Sequence, residues 1–442
     1  MAEPGHAPNA APSVPSAGRA APDARRDRPR GRIRRAAGVP LVALLLAGLM
    51  AAGGCAAPDR SADSATAGEI GAVLDRRAAA VLDHDTAGYL AVVDPDATAL
   101  RAAQRTSLAD LAQVPLRSWT YTVKSVTARG AGRVTADVEL DYRVAGFDTA
   151  PATARRTLEL ARDGSGGSWY LTADRPAKDA AVPLWDQGPV TAVHGTHSLV
   201  LGVGRPAKEL REIAETADLA VPAVSAAWPD SWAARVVYLV PASTAAMAEL
   251  LGSPDGSYRG IAAVTTGAVS SGNGRPGLAD RVVVNPEAYA GLGTFGRRVV
   301  LTHETTHVAT RTSTTAATPL WLSEGFADWA AYRQEDRTAG EIAPELATAV
   351  RARDLPAALP ADDDFAFDRD ADALARAYEG GWLACVLVAE EWGEDALTDL
   401  YRAVGAHDGR EGAVDTAMEK VLGIGEREFT TRWRDYLTER LG

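Results

Sequence analysis

The run His303-Glu304-Thr305-Thr306-His307, followed by Leu322-Ser-Glu-Gly-Phe-Ala-Asp328, constrains this chain more than any other stretch of it. On a helix, positions i and i+4 differ by about 40° in azimuth and about 6 Å in height, so both imidazoles leave one face and can grip one metal ion. Glu304 lies about 100° round from His303, within reach of a water beside the metal but badly placed to ligate it. It is free to act as a base. A tetrahedral catalytic zinc takes three protein ligands and keeps the fourth position for water, so one ligand is still needed. Glu324 is the candidate. It follows a loop rich in Thr and Ala, Arg311 to Pro319, and lies on a second predicted helix, Pro319 to Tyr332, with apolar surface from Leu320, Trp321, Leu322, Phe326 and Trp329. Asp328, one turn beyond Glu324, projects from the same side, where it can accept the outer N–H of a ligating histidine and fix its tautomer.

The matching residues His303, Glu304, His307, Glu324, Gly325, Ala327 and Asp328 give the chain a resemblance to the gluzincin branch of the zincin metallopeptidases. The nearest likeness is to the peptidase-MA-like domains of actinobacterial lipoproteins, over residues 195–442. The resemblance implies one zinc per chain and a thermolysin-like helix pair. It also implies hydrolysis of peptide bonds by a zinc-bound water, with Glu304 as general base. The gap from His307 to Glu324 is shorter than in thermolysin, which concerns the connecting loop and not the ligand set. The family also uses a Tyr or His from a later helix to steady the oxyanion. Tyr378, expected to open an apolar helix running to Trp392, is the choice here, with Tyr332 as its rival.

Charge and targeting signals narrow the setting. The first 54 residues carry eight Arg against three acidic groups, a net of +5, so of the formal −12 the remainder holds −17. A surface that acidic excludes nucleic acid as an electrostatic partner. Residues 1–54 read as a signal peptide with a long disordered leader: Arg32, Arg34 and Arg35 precede an apolar run of 14 residues, Val39 to Ala52, too short to span a bilayer. The run stops at Ala-Gly-Gly before Cys55, which resembles a bacterial lipobox. That implies a lipid anchor on Cys55, a tether over 55–68, and a place on the extracytoplasmic face of the membrane, with plain secretion as the alternative. Cys385, inside an apolar segment, reads as a buried small hydrophobe.

The expected fold class is α+β, in two parts. Residues 69–185 should form a cone-like accessory domain: a helix from Glu69 to about Leu90, a second from Thr98 to Leu111, then strands Trp119–Val126, Val134–Val144, Thr153–Arg162 and Trp169–Thr172. Their order is similar to the nuclear-transport-factor-2-like fold, and no polar constellation inside it argues for catalysis. Asp186 to Gly195 reads as the boundary. Beyond it a small mixed sheet should be built from Ser198–Val203, Ala234–Val240, Gly260–Thr266 and Arg281–Asn285. Helices are expected at Ala207–Leu219 and Thr244–Leu251, and a mobile loop at Ser270–Gly277. Ile261 to Thr265 is the candidate edge strand for pairing with an extended substrate. The acidic run Asp362, Asp363, Asp364, Asp368, Asp370 and Asp372 could hold calcium but reads better as a solvated loop before a helix. His194 and His197 read as loop residues.

The expected partners are a peptide or protein substrate and the membrane, through the anchor, and the expected state is a monomer. Two other functions fit the same residues. One is a catalytically silent surface binding protein on a zincin scaffold, the other a zinc hydrolase of non-peptide amides.

Overall fold

The computed structural model describes residues 60–162, 167–254, 256–266, 279–366 and 369–442. The signal peptide, Cys55, the Ser270–Gly277 loop and Asp368 lie outside them. Among the described residues no helix is long and apolar enough to cross a membrane.

The chain is α+β, an antiparallel sheet followed by a mixed sheet and helices. It opens with α1 (Arg60–Leu82), α2 (Thr86–Ala91) and α3 (Thr98–Leu111). Two expectations change here. Residues 60–67 are helical rather than tether, and the single helix to Leu90 breaks after Leu82, where His84 takes a positive φ of 53° and Asp85 caps α2. An antiparallel meander follows: β1 (Leu116–Gly130), β2 (Arg133–Val144), β3 (Ala152–Arg162) and β4 (Trp169–Pro176), in the order β1-β2-β3-β4. The β1–β2 register breaks at Val123/Ser125 and Ala128/Gly130, and irregularities of this kind bend a strand. The face turned to α1 buries Val138, Leu140, Leu158 and Leu160 against Ile70, Val73 and Leu74.

This interior is not purely apolar and holds a buried network of ion pairs. Arg77 donates to the Tyr89 hydroxyl at 2.6 Å and to Asp174 at 2.7 Å, and Arg156 donates to Asp174 and Asp186 at 2.6 Å each. The members come from five separate segments. No local pattern announces them.

The second sheet starts sooner than expected. β5 (Val190–His194) occupies the stretch read as a domain boundary and forms a hairpin with β6 (Ser198–Val203). After α4 (Ala207–Ala227) come β7 (Val236–Val240), α5 (Thr244–Leu250), β8 (Ala263–Thr265) and β9 (Arg281–Val284). The order is β5-β6-β7-β9-β8, with β6, β7 and β9 parallel and antiparallel strands at both edges. Leu199, Leu201, Leu239 and Val283 join the core of the first sheet, while Val200, Tyr238, Val240 and Val284 join that of α4 and the next helices. Burial on both faces explains why β6 and β7 read as unbroken apolar runs. α4 continues past Leu219 through Pro222, because Val221, Val224 and Ala227 extend the same buried face. That packing outweighs the hydrogen bond proline removes.

The remainder is helical: α6 (Pro286–Ala290), α7 (Thr294–Thr310), α8 (Leu320–Tyr332), α9 (Ala339–Ile342), α10 (Pro344–Arg351), α11 (Ala371–Trp392), α12 (Glu394–Gly405), α13 (Ala413–Leu422) and α14 (Glu426–Leu441). Every residue of α8 from Trp321 to Tyr332 is buried. It crosses α11 where two glycines meet: a Cβ on Gly325 would stand 2.3 Å from the carbonyl oxygen of Gly381. Only hydrogen at that position permits backbone-to-backbone contact.

Candidate metal centre

α7 is rich in β-branched threonine, a poor helix former, yet it runs unbroken from Thr294 to Thr310. Its buried hydroxyls are satisfied inside the helix, Thr306 donating to the Thr302 carbonyl at 2.8 Å and Thr310 to that of Thr306 at 3.0 Å. Thr305 hydrogen-bonds Tyr238 of β7 at 2.6 Å and so fixes the helix against the sheet. This anchoring turns His303 and His307 toward α8. There the separations are 3.1 Å between the two Nε2 atoms, 3.2 Å from His303 Nε2 to Glu324 Oε2, and 3.5 Å from His307 Nε2 to the same oxygen. Among the described residues this is the one His/Cys/Asp/Glu group whose geometry could hold a metal ion.

The donor set fits zinc. Bonds of 2.0–2.2 Å to a tetrahedral zinc put neighbouring ligand atoms about 3.3–3.6 Å apart, close to the three separations found. His303 faces Asp328 through Nδ1 at 2.8 Å, so Nδ1 donates the proton and Nε2 carries a lone pair into the cluster. Burial acts to lower the His303 imidazole, but the negative charge of Asp328 and Glu324, buried with Glu304 beside it, outweighs that and pushes it well up. A divalent cation offsets most of that charge where water cannot. Burial pushes the Glu304 and Asp328 carboxyls up despite the histidines beside them. Burial also acts to raise Glu324, but His307 and His303 outweigh it and hold this carboxyl far below its usual range.

Glu304 has the arrangement a base requires. The Thr265 hydroxyl lies 2.6 Å from its Oε2 and 2.9 Å from its backbone carbonyl, which fixes the side chain. Among the described residues its Oε1 is buried with no hydrogen-bond partner. An acceptor left so is costly unless something comes to it, such as a water or a substrate proton.

Tyr378 does not open its helix. Asp370 caps α11 by accepting from Asp372 N and Ala373 N, so the tyrosine lies two turns inside, with its ring edge-on to Phe365 at 5.1 Å. It lines a cavity together with His307 and Glu324. Tyr332 packs instead against Trp382 and Phe295, outside that lining. The acidic run serves helix ends and ion pairs: Asp362 accepts from Leu320 N and pairs with Arg410, and Asp364 pairs with Arg369. His194 ends β5, exposed, and the backbone of His197 donates to Asp218.

Two residues of the site were missed. Arg311 lines the cavity one turn beyond His307, a spacing that could have signalled it, and is held by Asp280 at 2.9 Å. Thr265 reaches Glu304 from a strand distant in sequence, and no local pattern marks it. Comparison of the sequence with known protein families finds no match, and comparison with curated proteins finds none. The chemistry of the site itself has to carry its function.

Proposed function

We propose that this protein is a zinc metallopeptidase of the gluzincin type, with His303, His307 and Glu324 as the metal ligands. The observation that carries this is the convergence of three ligand atoms beside a buried glutamate whose second oxygen has no partner among the described residues. A bound zinc would supply a Lewis acid that acidifies water to a pKa of about 7 and polarises a carbonyl. The rest falls to the chain. Glu304 takes the proton of the attacking water at Oε1 and later delivers it to the leaving amine, while Thr265 keeps Oε2 occupied. Asp328 holds the tautomer and orientation of His303. Tyr378, on the cavity wall, donates to the developing oxyanion. β8 pairs with β9 alone among the described residues, and its outer edge is where an extended peptide would add to the sheet.

Lipidation of Cys55 would place this activity at the outer face of the membrane. A silent binding scaffold is the weaker alternative, since it gains nothing from a buried base with an unpartnered oxygen. Hydrolysis of a non-peptide amide would use the same groups.

The purified protein should hold one zinc per chain by elemental analysis, and no metal would remove the proposal. Glu304→Gln should keep that zinc and stop cleavage of a peptide library. Unchanged cleavage by this variant would refute the role given to Glu304.

A further inference from the structure

The cavity at the metal centre has a volume of about 740 Å³, and its walls come from both sheets. His307, Glu324, Thr265 and Tyr378 form one part. Tyr142, Val144, Ala154, Leu184 and Trp185, from β2, β3 and the turn that follows β4, form another. Leu201, Leu239 and Val283 of the second sheet continue this apolar lining. The two halves are locked together. Arg281 of β9 forks onto Asp148 at 2.6 and 2.7 Å, with both side chains buried, and residues of the two sheets share a single hydrophobic core.

We propose that the N-terminal unit is the specificity wall of the catalytic cleft and receives a large apolar side chain, aromatic or long aliphatic, of the substrate. The proposal rests on the peptidase function given above. The volume lies in the range that small ligands fill, about 300–1,000 Å³. The part lined by this unit offers hydrocarbon, indole and phenol, and both arginines on the cavity wall are already paired, Arg281 with Asp148 and Arg311 with Asp280. A charged substrate group would lose its hydration there without a partner, whereas an apolar one gains. Val264 and Thr265 of β8 both line the cavity, so a peptide paired with that edge passes the apolar wall together with Thr265, which holds Glu304.

The test is binding of blocked tetrapeptide amides that differ at one position (Phe, Leu, Ala or Asp) to the chelated full chain, read by calorimetry and by the fluorescence of Trp185 and the other tryptophans. Chelation prevents turnover, so affinity is measured apart from catalysis. Phe and Leu peptides should bind about 10–100-fold tighter than Ala, the gain from burying one such side chain, and Asp should bind weakest. Ala154→Leu should remove most of the Phe advantage by filling the wall. Ala152→Leu, at a less buried position of the same lining, should do the same if the first variant folds poorly. Equal affinity for Phe and Ala, or an advantage unchanged in a folded variant, would overturn the proposal. If the zinc-loaded protein cleaves nothing while the apolar preference persists, the peptidase function fails and the wall stands. Cleavage without preference gives the reverse.

Discussion

Gly325→Ala decides between two opposed effects at the contact that sets the position of Glu324. In an exposed helix the change should stabilise, because alanine exceeds glycine in helix propensity by about 1 kcal/mol. Here the new Cβ would lie 2.3 Å from the Gly381 oxygen, 2.4 Å from its carbonyl carbon and 3.0 Å from Trp382 N, all backbone atoms that cannot rotate away. Ordinary contact is about 3.5 Å, so α8 and α11 must part by roughly 1 Å where both helices are buried. Overpacking of this kind costs about 1–3 kcal/mol. The sign of the change therefore reverses. Glu324 precedes the substituted residue, and a metal site tolerates only about 0.2 Å in its bond lengths, so zinc affinity should fall with stability. Thermal unfolding of the metal-free protein measures the first effect and competition with a chelator the second. A Gly325→Ala protein as stable as wild type, or more so, would refute the close approach of the two helices.

Asp328→Asn removes the charge that His303 Nδ1 faces and should weaken zinc binding about 10–100-fold; unchanged affinity in chelator competition would leave the pair without a role. Thr265→Val deletes the hydroxyl 2.6 Å from Glu304 Oε2 while keeping shape. It should lower kcat/KM on a cleaved peptide about 10–100-fold at unchanged zinc content, the scale of a hydrogen bond to a charged group, and an undiminished rate would show that Glu304 is held by other contacts. Burial, with Glu345 beside it, pushes the Glu379 carboxyl up to about 9. A carboxyl raised on folding contributes stability in full only below its unfolded pKa and loses it as pH rises through the folded value. Glu379→Gln should therefore match wild type at about pH 4 and melt several degrees higher at about pH 9, at about 2–4 °C per kcal/mol for a chain of this size; parallel melting curves across that range would contradict the shift.

The pieces of the candidate metal centre were legible in the sequence because they are local. Spacing of four along a helix puts His303 and His307 on one face whatever surrounds them, and one helical turn relates Glu324 to Asp328 in the same way. Periodicity likewise marked most strands of both sheets and the helix Thr98–Leu111, since one buried face repeats at a fixed interval. It failed where a tertiary term decided the outcome: α4 running through Pro222 along its buried face, and β5 paired to β6 in a stretch that reads as a domain boundary.

By itself the sequence determined which side chains could share a metal and which segments alternate or repeat as strands and helices. Only the tertiary structure decided that Thr265 fixes Glu304, that Tyr378 lies two turns inside its helix, and that the N-terminal sheet and the candidate metal centre face one cavity. The physical reason is range. Helical and strand geometry is set by neighbours a few residues away, whereas a cleft is made by surfaces whose contact depends on shape and burial across the whole chain, such as the fork of Arg281 on Asp148 or the meeting of Gly325 with Gly381.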